Sequence, residues 1–200
     1  MTWANPILEA VNGLESRLRN ILTTKGYEAL EPGFSQAEWS VTYDYFLSST
    51  VFLFGQYFCW THMLHQELSF ELFRSQQEMK DFFAKVDKVC SKLSDYPPYF
   101  NGQQKEYDGI GHDAQIFRLQ QRAMGEMLAM RRGNRRSCRS YAYFLTKMVD
   151  PIFSATFAPV RKLLEQVNAQ ERRWKRLEDT HRALVDLQTE CNRLLKLPPR

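Results

Sequence analysis

Three potential metal ligands follow one another at steps of three residues, namely Cys59, His62 and His65. Thiolate and imidazole groups bind zinc and iron, so these residues are candidate ligands for a metal ion. On a helix, however, Cys59 and His65 point in different directions because they are six residues apart. We therefore favour histidines held by hydrogen bonds in a core or interface, without a cofactor. A metal- or ligand-binding enzyme around His62 and His65 is an alternative.

Two other histidines have acidic neighbours. Glu178 and His181 have the Glu-x-x-His spacing of helical diiron proteins, but the spacing occurs once and such sites use it twice. His112 precedes Asp113 and could act as an acid or base, although a role in a helix-capping turn is the simpler interpretation. The sequence also lacks the signatures of serine hydrolases, phosphate-binding loops and dinucleotide-binding folds. An enzyme is therefore the less favoured class of function.

Five arginines within nine residues form what we call the arginine cluster: Arg131, Arg132, Arg135, Arg136 and Arg139. Guanidinium groups bind phosphate, so the cluster could bind a nucleic-acid backbone or another anionic surface. Residues 1–113 carry 9 basic and 15 acidic side chains, whereas residues 114–200 carry 18 basic and 8 acidic ones. The acidic half can therefore neutralise the cluster, within the fold or across a protein contact, and we favour this interpretation.

A heptad pattern runs through the last helical segment, at spacings that alternate between four and three. Its members, which we call the seam, are Leu177, His181, Leu184, Gln188, Cys191 and Leu195. This spacing is typical of coiled-coil helices, so the seam could pair with a partner helix or a second copy of the chain. Packing within the protein's own bundle is the favoured interpretation, because three heptads are few.

The elements that position these residues are predicted to be helices throughout. The spacing of apolar residues predicts a first helix that Asn5 caps, Pro6 begins and Gly26 follows. Ser-x-x-Glu capping patterns predict a second helix from Ser35 and a third over about residues 76–93. The second helix carries an aromatic stretch and is the predicted core.

Further helices are predicted in the second half of the chain. One should run from Asp113 to near Gly133, because basic residues suit a helix C-terminus. Others should occupy residues 138–149, the segment after Asp150-Pro151, and the seam. No segment has the pattern of a strand. The sequence therefore predicts an all-α fold, a bundle of six or seven helices around a central, buried, aromatic-rich helix.

The composition is that of one globular domain over residues 1–200. Of the 200 residues, 44% are hydrophobic and 25% are charged, and the net charge is +4. Turn-forming residues predict a long loop over 95–112, and residues 197–200 are the expected C-terminal tail. The four cysteines lie far apart, which excludes a disulfide scaffold and indicates buried thiols.

The hydropathy of the sequence bears on its location and on membrane association. No secretory signal is recognisable at the N-terminus, so the cytoplasm is the expected location. The segment 45–66 has no charged residue and is long enough to cross a membrane. Its Ser, Thr, Gln and His residues lower its hydropathy below that of a single span. We therefore predict a buried helix in place of a transmembrane span.

Four segments occur in the order YDYF at 43–46, FLFGQYFCW at 52–60, FRLQQRAMGE at 117–126 and HRALVDL at 181–187. Together they resemble a group of bacterial all-helical proteins with no assigned function. The resemblance implies a bacterial origin and carries no activity or site residues. In the third segment, Arg118, Arg122 and Glu126 lie at steps of four on one helix face, where they could form ion pairs or line a polar pocket.

These observations favour a non-enzymatic interaction or regulatory protein that presents the arginine cluster or the seam to another macromolecule. A protein partner or self-association is therefore expected. One alternative is a nucleic-acid or anionic-surface binder that uses the arginine cluster. The second is the ligand- or metal-dependent enzyme around His62 and His65.

Overall fold

The structure, a computed structural model, describes residues 4–67, 73–95, 115–133, 135–170 and 172–195. This part of the chain forms seven α-helices: α1 (Ala4–Thr23), α2 (Tyr43–Glu67), α3 (Gln76–Ser94), α4 (Arg118–Leu128), α5 (Tyr141–Lys147), α6 (Pro151–Leu164) and α7 (Arg172–Leu194). Two antiparallel hairpins pair β1 (Ser35–Gln36) with β2 (Val41–Thr42) and β3 (Ala129–Arg132) with β4 (Arg135–Cys138). Short 3-10 helices span Gly26–Leu30 and Ala37–Trp39. The predicted all-α bundle is therefore confirmed.

Helix α2 is the buried, aromatic-rich helix that the sequence predicts. It packs against α1, α4 and α6. The fully buried ring of Phe144 on α5 joins it to α6, with centroids 5.6 Å from Phe52 and 5.1 Å from Phe157. Rings packed at such angles and distances add to the stabilisation from apolar burial. Helix α2 is buried over most of its middle part, from Phe46 to Leu64, whereas the polar residues His65 and Gln66 near its end are exposed.

Helix α7 closes the bundle against α1 and α3. Gln188 Nε2 donates to Asn12 Oδ1 on α1 at 2.6 Å. On the α3 side, Lys88 Nζ lies 2.7 Å from Asp186 Oδ2 and Lys85 Nζ lies 3.0 Å from Glu190 Oε2. Three polar residues of α7, Asp186, Gln188 and Glu190, therefore pair with groups of the same chain.

Several predicted helix ends are confirmed by their caps. The Ser75 hydroxyl accepts a hydrogen bond from the Glu78 backbone N–H at 3.1 Å and starts α3. Asp150 caps α6 by accepting from the Ile152 and Phe153 backbone N–H groups, and Pro151 follows at the first helical position. Helix α1 starts at Ala4, so Asn5, the predicted cap, lies inside the helix.

The prediction that the second helix starts at Ser35 is wrong. Residues 35–42 form the β1–β2 hairpin, in which Ser40 has a left-handed backbone with φ of 52°. An α-helix cannot contain that conformation, so the Ser-x-x-Glu pattern does not start an α-helix here. The start signal is instead Thr42, whose hydroxyl accepts from the Tyr45 backbone N–H at 3.2 Å.

The predicted helix end near Gly133, and the prediction that no strand occurs, are also wrong. Helix α4 ends at Leu128, and most of the arginine cluster lies on the β3–β4 hairpin, where Arg131 pairs with Arg136 and Arg132 with Arg135. Gly133 has φ of 58°, a conformation that glycine adopts without strain. The cluster is therefore presented on a two-stranded ribbon.

Three predictions fall partly or wholly on undescribed residues. Most of the loop at 95–112, Asp113 itself and the tail at 197–200 lie outside the described ranges. Helix α4 begins at Arg118, after an extended Phe117, so the prediction of a helix that runs from Asp113 is wrong. Among the helices that the structure does describe, none has the length and apolar character to cross a membrane.

Candidate functional site

A cavity of about 380 Å³ opens between α2, α3 and α4. Its floor consists of the buried residues Phe58, Thr61, Cys90 and Gln121. Its rim consists of the more accessible residues His62, His65, Gln66, Arg118 and Arg122. A volume of this size lies within the ~300–1,000 Å³ range of small-molecule sites in proteins. We refer to this feature as the cavity.

Helical spacing explains why these side chains meet. The members from α2 lie at positions 58, 61, 62, 65 and 66, and those from α4 at positions 118, 121 and 122. Steps of three and four place side chains on one helix face, so each helix presents a single wall. The walls are close at Gly125, where a Cβ atom would lie 2.5 Å from the Phe58 carbonyl oxygen and 3.1 Å from His62 Cβ. Glycine at this position therefore allows α4 to approach α2 beside the cavity.

Gln121, in the cavity floor, has a buried hydrogen-bond acceptor without a partner among the described residues. Its Nε2 donates to the Ile116 carbonyl oxygen at 2.7 Å and to the Cys90 carbonyl oxygen at 3.0 Å. These two bonds fix the amide, and its Oε1 has no hydrogen-bond donor within the described part of the chain. The residue is only 4% exposed. A buried acceptor without a partner costs roughly 1–3 kcal/mol, and this oxygen has almost no solvent-accessible surface.

Two arginines hold positive charge at the rim. Arg118 donates to the Ser91 hydroxyl at 2.6 Å, to the Asp87 carbonyl oxygen at 3.1 Å and to Asp87 Oδ1 at 3.3 Å. Arg122 donates through Nε to Glu126 Oε1 at 2.8 Å. The helix face that carries Arg118, Arg122 and Glu126 thus forms an ion pair and also lines a polar pocket.

His62 belongs to a hydrogen-bond chain that reaches the arginine cluster. Arg136 donates to Gln66 Oε1, so Gln66 Nε2 faces His62 and donates to His62 Nε2 at 2.9 Å. The imidazole is therefore unprotonated at Nε2. Burial lowers the pKa of His62, and Arg122 and Arg136 lower it further, while Glu126 opposes this effect. Both causes favour the neutral imidazole.

The remaining histidine and the cysteine of the cavity are not arranged for nucleophilic chemistry. The His65 ring stacks on Phe83 with 4.9 Å between ring centroids. Burial raises the pKa of the Cys90 thiol to about 11, although Arg118 acts in the opposite direction. A thiol with that pKa is protonated near neutral pH and is a weak nucleophile. The cavity is therefore better suited to binding than to thiol chemistry.

The three candidate metal ligands do not converge. Cys59 is buried against the Cys138 thiol, and this contact together with burial raises the pKa of Cys59 well above its usual range. His62 faces Gln66, and His65 stacks on an aromatic ring. Within the described ranges, no group of three or more His, Cys, Asp or Glu side chains is arranged to hold a metal ion.

The arginine cluster is divided among different surroundings. Arg131 is exposed, and its Nε donates to the Gly133 carbonyl oxygen at 3.1 Å. Arg136 contacts Gln66 beside the cavity, and the Arg139 guanidinium lies 4.6 Å from the centroid of the Tyr143 ring. The side chains of Arg132 and Arg135 lie outside the described part of the structure.

The seam faces the interior of the bundle. Leu177, Leu184 and Cys191 are fully buried, and Leu195 is half-buried. His181 Nε2 lies 2.9 Å from Glu15 Oε1 on α1. The seam is therefore covered by the same chain in this fold.

The sequence also offered two histidines with acidic neighbours, His181 with Glu178 and His112 with Asp113. Glu178 pairs with Lys175 at 3.3 Å, and His181 pairs with Glu15. His112 and its neighbour Asp113 lie outside the described residues.

Sequence reasoning singled out His62, His65, Arg118 and Arg122 but missed Thr61, Gln66, Cys90 and Gln121. A polar glutamine at a buried helical position was the available signal for Gln121, because buried amides usually need partners. Nothing in the sequence indicated that Cys90 of α3 would line the cavity, because only the packing of α3 against α4 brings it there. Comparisons with known protein families, with characterised proteins and with solved structures found no match.

Proposed function

We propose that this protein binds a small organic molecule in the cavity. The observation that carries the proposal is the volume and lining of the cavity, a space of about 380 Å³ between three helices. The surrounding wall combines the apolar Phe58 with charged and hydrogen-bonding groups. Small-molecule sites typically have this mixture, in which apolar surface supplies affinity and a few polar groups fix orientation.

The proposal is tested by native mass spectrometry and by NMR. A bound molecule from the expression host would add a discrete mass to the folded protein. In parallel, titration with a small-molecule library should shift backbone amide signals of residues 58–66 and 118–122 first. Protein that carries no added mass, together with library hits that shift signals only elsewhere, would contradict a ligand function for the cavity.

A cavity-filling variant provides an independent control. Thr61→Leu adds apolar volume to the floor, so we expect it to abolish binding of any library hit. Thr189→Leu makes the same change at an exposed position of α7 and should leave binding unchanged. Circular dichroism of both variants checks that they fold.

A second function, self-association, is favoured by one apolar surface. At the turn between α5 and α6, Leu145 is 44% exposed, Val149 86% and Ile152 73%. Such clustered apolar exposure is typical of protein contacts. Lys147 and Asp150 flank the surface, so a two-fold axis could place each charge opposite its counterpart. Sedimentation should detect a concentration-dependent dimer that Val149→Ser with Ile152→Ser abolishes.

Support for an interaction through the arginine cluster or the seam is weaker. Arg136 and Arg139 contact groups of their own chain, and the seam is covered by α1. Nucleic-acid binding by the cluster stays a prediction, with Arg131 as its most accessible described member. Its test is fluorescence anisotropy with a DNA oligonucleotide, where binding should weaken steeply between 50 and 200 mM salt.

A further inference from the structure

We propose that Cys59 and Cys138 form a redox switch, in which hydrogen peroxide joins the two thiols in a disulfide and a dithiol reductant, itself oxidised to a disulfide, separates them again. The disulfide would attach the β3–β4 hairpin covalently to α2. This inference goes beyond the proposed function and does not depend on it, because neither cysteine lines the cavity.

The packing of β4 on α2 brings the two cysteines together. Arg136 of β4 donates a hydrogen bond to Gln66 Oε1 near the end of α2. Cys138 follows Arg136 by two residues, so both side chains lie on the same face of the strand. On α2, Cys59 shares a helix face with His62 and Gln66, because these positions are three and four residues apart. Cys138 therefore faces Cys59, and the two thiols are hydrogen-bonded to each other.

The two thiols differ in their access to an oxidant. Cys59 is fully buried on α2, whereas Cys138 is half-buried at the end of β4. The hydrogen bond with Cys138, together with burial, raises the pKa of the Cys59 thiol well above its usual range, so Cys59 keeps its proton near neutral pH. A protonated thiol is a weak nucleophile. Cys138 is therefore the thiol that reacts with peroxide first, and Cys59 is the thiol that completes the disulfide.

Two steps account for the atoms and electrons. In the first, the Cys138 thiolate attacks one oxygen of hydrogen peroxide, so that an S–O bond forms and the O–O bond breaks. The hydroxide that leaves takes up a proton as water, and Cys138 becomes a sulfenic acid. In the second, the Cys59 sulfur attacks the Cys138 sulfur, the S–S bond forms, and the S–O bond breaks. The second hydroxide combines with the Cys59 proton as water, and the two electrons lost by the thiols have reduced the peroxide.

The switch changes how firmly the hairpin is held. In the reduced protein, the hairpin is attached to α2 by non-covalent contacts such as the one between Arg136 and Gln66. The disulfide would close a loop of about 80 residues, which lowers the entropy of the unfolded chain. We therefore expect the oxidised protein to melt several degrees higher than the reduced protein. We also expect the backbone amides of β3 and β4 to exchange with solvent at least about tenfold more slowly.

Thiol counting and peptide mapping test the pairing in the unmodified protein. The folded protein is treated with hydrogen peroxide, its remaining thiols are blocked with N-ethylmaleimide, and it is digested without reduction. We expect two of the four cysteines to escape the label and to appear as one peptide that joins Cys59 to Cys138. Dithiothreitol should restore all four thiols. Four labelled thiols, a sulfinic acid on Cys138, or a link to another cysteine or another copy of the chain would each overturn the proposal.

Matched variants assign the physical effects to this pair. After peroxide, Cys138→Ser should keep its remaining thiols and show neither the higher melting temperature nor the slower amide exchange. Cys90→Ser changes a cysteine that contacts Tyr57, and it should still form the link between Cys59 and Cys138. If melting and exchange changed in Cys138→Ser as they do in the unmodified protein, the switch would be ruled out as their cause.

Discussion

The side-chain amide of Gln66 lies 2.9 Å from the imidazole of His62, measured between the two Nε2 atoms. Arg136 can only donate, so it fixes the amide oxygen of Gln66 on its own side and turns the amide N–H toward His62. This one amide therefore connects the β3–β4 hairpin to the cavity and selects the protonation state of a histidine at its rim.

The first prediction concerns the titration of His62. Burial lowers its pKa, and the hydrogen bond from Gln66 also favours the neutral ring. Because the unfolded chain takes up this proton near pH 6.5, the stability that neutral His62 contributes is full above that pH. It is lost as the pH falls through the lower pKa of the folded state. The pH dependence of the histidine Hε1 shifts in NMR should show the titration midpoint of His62 below pH 6.5. A midpoint at or above 6.5 would contradict the hydrogen bond from Gln66 to a neutral His62.

The second prediction concerns a change of the Gln66 group that faces His62, from a hydrogen-bond donor to an acceptor. Gln66→Glu replaces the donor that faces His62 with a carboxylate, which accepts and carries negative charge, so we expect the NMR midpoint of His62 to rise. Gln66→Leu removes the hydrogen bond without adding charge and should raise the midpoint less. Gln77→Glu, at an exposed position of α3, is the control for a general effect of added negative charge. Equal midpoints in Gln66→Glu and in the unmodified protein would rule out the amide as the determinant.

The third prediction tests the close approach of α4 to α2. Alanine is normally better than glycine in a helix by ~1 kcal/mol. In Gly125→Ala, however, the new Cβ would meet the Phe58 backbone, which cannot rotate away as a side chain can. We expect a net loss of about 1–3 kcal/mol in the free energy of unfolding, measured by urea titration, together with weaker ligand binding as the cavity walls separate.

Gly13→Ala is the matched control for this experiment. Its Cβ would lie 3.2 Å from Leu53 Cδ2, the end of a flexible side chain. That variant should be as stable as the unmodified protein or slightly more stable. If Gly125→Ala behaved in the same way, the α2–α4 contact would not depend on glycine.

More of the fold than of the cavity could be predicted from the sequence. Local signals were sufficient where one residue determines a helix end, as with Ser75 for α3 and Asp150 for α6. The β3–β4 hairpin was missed because its strands are rich in arginine, although Gly133 and the residue after it match a two-residue hairpin turn. The Ser35 pattern failed because the left-handed backbone of Ser40 depends on the hairpin around it. The cavity combines residues from three helices, and periodicity within one helix does not show which faces will meet.

The fourth prediction concerns Arg176, a buried arginine that joins α7 to the C-terminus of α3. The residue is 4% exposed, and its guanidinium donates to the Lys92 carbonyl oxygen at 2.6 Å and to the Asp95 carbonyl oxygen at 3.1 Å. Burial lowers its pKa to about 10, which still leaves it charged at neutral pH. Arg176→Met keeps the apolar stem but removes both donors, and we expect it to lower the free energy of unfolding by about 2–4 kcal/mol in urea titrations. Arg182→Met, at an exposed arginine of α7 that pairs with Asp179, should change it by less than about 1 kcal/mol. Equal stability of the two variants would mean that the hydrogen bonds of Arg176 only offset the cost of burying its charge.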